Sequence, residues 1–124
     1  MFKLKDRVAL ATGGSRSLGS GISRCLAEAG AHVVINYRKS KPEDIFEITL
    51  ESWDILIRNN LFSTFLCAKK TMEIMKMQKY GRIIQISSMI AHQGALYRHV
   101  HYASTKSGRL GFTRTLARTA GRRI

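Results

Sequence analysis

Acidic residues are scarce in this sequence. Eight Asp and Glu stand against 21 Lys and Arg, a formal net charge of +13. Such an imbalance leaves nucleic acid, anionic lipid or a phosphate-rich cofactor open as partners. Cysteine is almost missing too: Cys25 and Cys67 are the only two. Both fall at apolar positions of predicted helices, which reads as reduced packing residues rather than a disulfide framework. No apolar run approaches membrane-spanning length, and the longest, around Val33 to Ile35, suits a buried strand instead. No charged-then-apolar leader precedes the first strand, so a cytoplasmic protein without a membrane partner is expected. Internal repeats and low-complexity segments are lacking as well.

What is present is a globular composition. Apolar residues make up 44% of 124, enough for one domain with one core but not for two. The basic residues are scattered apart from a C-terminal set, Arg109, Arg114, Arg118, Arg122 and Arg123. Phe112 is the lone aromatic among them, so the set reads as a solvated helix face and argues against a nucleic-acid partner.

Residues 7–12, RVALAT, form a buried strand on this reading, followed by the turn GGSRSLGSG and the helix ISRCLAEAG. Gly30 stops that helix, and a second strand follows at 32–37, HVVINY. The order strand, glycine-rich turn, helix, strand is a βαβ unit with a right-handed crossover. Its turn, Thr12-Gly13-Gly14-Ser15-Arg16-Ser17-Leu18-Gly19, lets the backbone approach a diphosphate at a helix N-terminus, although the literal G-x-G-x-x-G is absent. A fold of this kind that prefers NAD usually ends its second strand near an acid. Here the strand runs into Asn36-Tyr37-Arg38-Lys39, with no acid until Glu43. Arg38 and Arg16 would instead pair with a 2′-phosphate, which points to NADP(H).

One long helical pattern then runs from Thr49, its cap, to about Lys79, with Glu51 and Asp54 in its first turns. Trp53, Leu56, Ile57, Leu61, Phe65, Ala68, Met72 and Met75 recur at three and four, the stripe of a packing face. Asn60 interrupts it with a polar side chain.

The stretch 81–106, GRIIQISSMIAHQGALYRHVHYASTK, carries the candidate chemistry. Ile83, Ile84 and Ile86 read as a strand ending at Ser87 and Ser88. After a polar loop, Tyr102 opens a helix whose next turn carries Lys106, on the same helical face. A fixed ammonium beside a phenol favours the phenolate, so Tyr102 is a candidate proton donor and acceptor. Ser88 could hydrogen-bond an oxygen held against that phenol. His92, His99 and His101 make a poor metal site, with no acid or thiol close in sequence, and their loop is expected to line the substrate pocket.

Taken together, TGGSRSLG, HVVINYR, TLESWDILIRNNLFSTFL, GRIIQISS and YASTKSGRLGFTRTLA resemble the short-chain dehydrogenase/reductase family, near its 3-oxoacyl-[acyl-carrier-protein] reductase and sugar dehydrogenase branch. The resemblance implies a single Rossmann-like domain over 1–124, an α/β fold with a three-layer parallel sheet reduced to about three strands. It implies NADPH-dependent carbonyl/alcohol interconversion by hydride transfer, with Asn60, Ser88, Tyr102 and Lys106 as the catalytic tetrad. Tyr102 would protonate the carbonyl oxygen, Ser88 polarise it, and Asn60 anchor a water in the proton relay. Lys106 would hold the nicotinamide ribose beside Tyr102. The cofactor would further contact Gly13, Ser15, Arg16, Ser17, Leu18, Gly19, Asn36, Tyr37 and Arg38. A homo-oligomer through the 49–79 and 102–120 helices is implied as well, as is the alternative of a catalytically silent member acting through oligomerisation.

The chain also departs from the family pattern. Ser17 stands where glycine is usual, at a cost of about 1 kcal/mol if the turn needs a positive φ. Between Lys41 and Asp44 the family's third and fourth strands and their helices have no counterpart, nor do its last strands after Gly121. An internally deleted and C-terminally truncated member is therefore expected, with a marginal or partly open core.

Overall fold

The computed structural model describes residues 3–15, 17–36 and 43–120. The chain divides into two compact units, Met1–Ser40 and Lys41–Ile124.

In the first unit the β-branched and small residues of Val8–Thr12 form strand β1, and His32–Asn36 forms strand β2. The two pair in parallel, Val8 opposite His32 and Thr12 opposite Asn36. A parallel pair needs a crossover, supplied by helix α1, Ser17–Glu28. The helix ends where the sequence indicates. Gly30 takes φ +96°, its N–H donates to the Ala27 carbonyl at 2.8 Å, and the Ala31 N–H donates to Leu26 at 3.0 Å. These are the two bonds of a Schellman stop.

The second unit is helical. Thr49 caps helix α2, Leu50–Ile57, through a capping box. The Ser52 N–H donates to Thr49 Oγ1 at 3.0 Å, and the Thr49 N–H donates back to Ser52 Oγ at 3.1 Å. The chain then opens into a π-turn, Arg58–Phe62, closed by the Ser63 N–H on the Arg58 carbonyl. Helix α3, Ser63–Gln78, continues from it and stops at Lys79, which has φ +54°. A short helix α4, Ile90–Gln93, and a long helix α5, Val100–Ala120, complete the unit.

The packing stripe holds at Leu56, Ala68 and Met75, which are buried. Just past the π-turn it fails at one position: Phe65, expected inside, is 42% exposed, and Thr64 beside it is buried.

The α/β class is as expected, but the sheet is smaller. Among the described residues it has two strands, not three. Residues 81–88 have no ladder hydrogen bonds, because the second unit holds no strand among its described residues to pair with them. The core is correspondingly thin. Leu56, Ala68 and Met75 are the buried hydrophobic residues among those described, while Ile84 is 81% exposed and Ile86 43%. Cys25, expected to pack, is exposed, and Cys67 is half-buried. No described helix is long and apolar enough to cross a membrane.

Candidate active site

The glycine turn of the first unit is built for a close backbone approach. Gly13 has φ +74° and open space where a side chain would begin. At Gly19 a Cβ would collide with the Gly13 carbonyl, so only glycine lets α1 start against the turn. The Ser23 hydroxyl, 4% exposed, lies 3.2 Å from the Gly14 carbonyl and 2.9 Å from that of Gly19, tying helix to turn. No acid stands in the first turn of α1, whose positive dipole end stays uncompensated. This cradle fits a diphosphate. Ser15 and Leu18 are exposed beside it. Ser17 does take φ +45°, so the strain anticipated at this serine is present. Asn36 ends β2. Arg16, Tyr37 and Arg38, on which the choice of NADP(H) rests, lie outside the described residues.

In the second unit α5 carries Tyr102 and Lys106 on one face, both half-buried. The Lys106 Nζ sits 5.4 Å from the centroid of the Tyr102 ring, and His99 meets that ring edge-on at 5.9 Å. Burial pushes the Lys106 pKa down from 10.5 to about 8, and the positive charge of Arg109 adds to the effect. Its ammonium donates to the Ile86 carbonyl at 2.9 Å. Lysine thus supplies the hydrogen bond that a neighbouring strand would otherwise give residue 86.

Ser88 is half-buried at the end of the same segment, where its carbonyl accepts the Ala91 N–H at 3.0 Å and leads into α4. The hydroxyl that bonds α5 is that of its neighbour: Ser87 Oγ donates to the Lys106 carbonyl at 3.1 Å. Asn60 lies in the π-turn, half-buried, and its carbonyl accepts Thr64 Oγ1 at 2.7 Å.

The same Asn60 carbonyl accepts Arg109 Nη2 at 2.6 Å, and Arg109 Nη1 donates to Ile86 at 3.0 Å. This corrects the reading of the basic set. Arg114 and Arg118 are exposed, but Arg109 is half-buried, and Arg122 and Arg123 lie outside the described residues. The signal was available, since residue 109 follows Lys106 by three and Tyr102 by seven and so shares their face.

His101 is corrected too. It belongs to the first turn of α5 rather than to a loop, is 2% exposed, and stacks on Trp53 at 6.5 Å between centroids. Its Nε2 is 3.8 Å from the Glu43 carboxylate, the first described residue after 37–42. Among the described residues no group of three His, Cys, Asp or Glu could hold a metal ion.

Comparison with known proteins supplies the lineage. Residues 39–124 match the family model of short chain dehydrogenases. A 3-oxoacyl-[acyl-carrier-protein] reductase of Synechocystis sp. is 27% identical, the match covering 95% of this chain and 70% of that protein. An acetoacetyl-CoA reductase of Paracoccus denitrificans is 28% identical over 94% of this chain and 68% of its own length. The first of these alignments runs over 173 positions against a chain of 124 residues, so the relative carries interior residues that this chain lacks. In fold, the chain superposes with TM-score 0.85 on the full-length peroxisomal multifunctional enzyme type 2 of Drosophila melanogaster, at 23% identity, over 98% of this chain and 30% of that one. A tyrosine and a lysine one turn apart, a glycine cradle after a first strand and these similarities agree: the chain belongs to the short-chain dehydrogenase family.

Proposed function

We propose that this chain is an NADP(H)-dependent oxidoreductase that interconverts a carbonyl and an alcohol on a small substrate, with Tyr102 as general acid and base. The observation that carries the reading is the Lys106 ammonium held 5.4 Å from the Tyr102 ring on one face of α5. Beside that cation, Tyr102 gives a proton to a carbonyl oxygen or takes one from an alcohol. Ser88 hydrogen-bonds and orients the substrate oxygen. Asn60 anchors a water that returns the proton to Tyr102. The cofactor contacts carried over from the family are Gly13, Ser15, Arg16, Ser17, Leu18, Gly19, Asn36, Tyr37, Arg38, Tyr102 and Lys106, with Arg16 and Arg38 the pair for a 2′-phosphate and Lys106 for the nicotinamide ribose. The cofactor, when bound, supplies or accepts the hydride. The relatives' names point to a 3-oxoacyl thioester as the substrate class.

The test uses the full chain, NADPH and acetoacetyl-CoA. Cofactor binding should enhance NADPH fluorescence and raise the melting temperature, and NADPH should be consumed. Tyr102→Phe should slow turnover by about 100-fold or more while leaving binding in place. Silence at millimolar NADPH would remove the enzyme reading.

A second reading has its own support. Helix α3 exposes Phe65, Leu66, Ile74 and Met77, with Phe62 just before it and 6.1 Å from Phe65 between ring centroids. Such a surface favours a homo-oligomer through the 49–79 and 102–120 helices, with or without catalysis. Light scattering across a concentration series should then report a dimer or larger. A chain that stays monomeric at high concentration would count against it.

A further inference from the structure

The guanidinium of Arg109 was not among the residues that the family resemblance brings to the site, yet it meets three of them. Nη1 donates to the Ile86 carbonyl and Nη2 to the Asn60 carbonyl. Its charge lowers the Lys106 pKa, and Tyr102 in turn raises that of Arg109. We propose that Arg109 is a positioning residue of the Tyr102–Lys106 site, a clamp that holds the Ile86 carbonyl against the π-turn and so fixes the seat on which the Lys106 ammonium rests. The inference rests on the reading of Tyr102 and Lys106 given above.

Three observations carry it. The Ile86 carbonyl belongs to a segment with no strand partner, and two cations converge on it from α5 at 2.9 and 3.0 Å. Without Arg109 the lysine alone would hold that carbonyl, and the segment's other side-chain tie to α5, Ser87 Oγ on the Lys106 carbonyl, depends on the same residue. The second contact anchors the clamp, since the Asn60 carbonyl lies in the π-turn, on a different element. Finally, the planar fork is needed to reach both carbonyls at once, which a point charge on a flexible stem does not do. The guanidinium is committed to this place: Nε is buried and has no hydrogen-bond partner among the described residues. That is a cost unless the fork is bound firmly.

The electrostatics agree with the geometry. Burial holds the Arg109 pKa below its usual value, and Tyr102 works against that effect. Titratable or charged groups on the elements packed against α5 are Glu51 and Asp54 on α2, Arg58 in the π-turn and His92 on α4, with His101, Tyr102, Arg114 and Arg118 on α5 itself. The charge that shifts Lys106 is that of Arg109.

The test reads Lys106 directly and needs neither cofactor nor substrate, so it fails separately from the enzyme reading. Lysines are reductively methylated with 13C formaldehyde and titrated by NMR, and the Lys106 signal is assigned by its loss in Lys106→Gln. In the wild-type chain it should titrate near 8. In Arg109→Gln, and also in Arg109→Lys, the midpoint should move up toward 10.5, because the seat loosens and water reaches the ammonium. A shift in Arg109→Gln alone would mean that charge, and not the clamp, matters, and would overturn the proposal. So would a wild-type midpoint at the ordinary lysine value, a measurement that needs no variant to fold, or wild-type midpoints in both variants.

Discussion

Replacing Ser17 by glycine should stabilise this protein. Ser17 opens α1 with φ +45°, in the left-handed region that crowds a Cβ against the following carbonyl. That conformation costs an L-residue about 1–2 kcal/mol. Glycine removes the cost but gives up roughly 0.5 kcal/mol of helix propensity relative to serine. The net gain is then about 1 kcal/mol, which for a chain of this size raises the melting temperature by about 4 °C. The assay is a thermal melt followed by far-ultraviolet circular dichroism on wild type, Ser17→Gly and Ser17→Ala. The alanine variant keeps the Cβ and should gain no more than about 0.5 kcal/mol, from helix propensity alone. If alanine stabilised as much as glycine, or glycine lowered the melting temperature, backbone strain at residue 17 would not be the operative effect.

Other outcomes follow from the same structure. Thr49→Ala removes the hydroxyl that accepts the Ser52 N–H, one of the two bonds of the capping box, and should cost about 1 kcal/mol in urea unfolding, with Thr49→Ser largely restoring it. Leu56→Ala removes one of the few buried apolar side chains and should cost about 2–5 kcal/mol, enough to unfold a marginal chain at 25 °C. Lys106 has a folded pKa of about 8 against 10.5 for a free lysine. Between those values the unfolded chain binds the extra proton, so this group makes stability rise with pH from about 8 to 10.5. The difference between wild type and Lys106→Met should show that slope, and a flat or falling difference would contradict it.

How much of this was legible in the sequence depended on the range of the interactions. The βαβ unit, the Gly30 stop and the Thr49 cap are set by residues within a few positions of one another, and each appears where the pattern places it. Residues 83–86 have every local feature of a strand and do not form one, because a strand also needs a neighbour. The inward turn of Thr64 in place of Phe65 was hidden for a different reason: no side-chain pattern announces a π-turn. In the site, Tyr102 and Lys106 could be paired from spacing alone. Arg109 was concealed by its company, since the basic residues after it are solvated and it is not. Its role emerges only once the Asn60 and Ile86 carbonyls lie within reach of one fork.

The five-residue π-turn makes this stretch tolerant of a change in length. Losing a single residue between Arg58 and Phe62 would restore ordinary winding and leave the faces on either side in phase, because a π-turn takes up one surplus residue locally. Thr64, Ala68 and Met75 would stay on the same side of the helix as Leu56. What would be lost is the wide turn that offers the Asn60 carbonyl to Arg109, so the excision would strike the site and spare the packing.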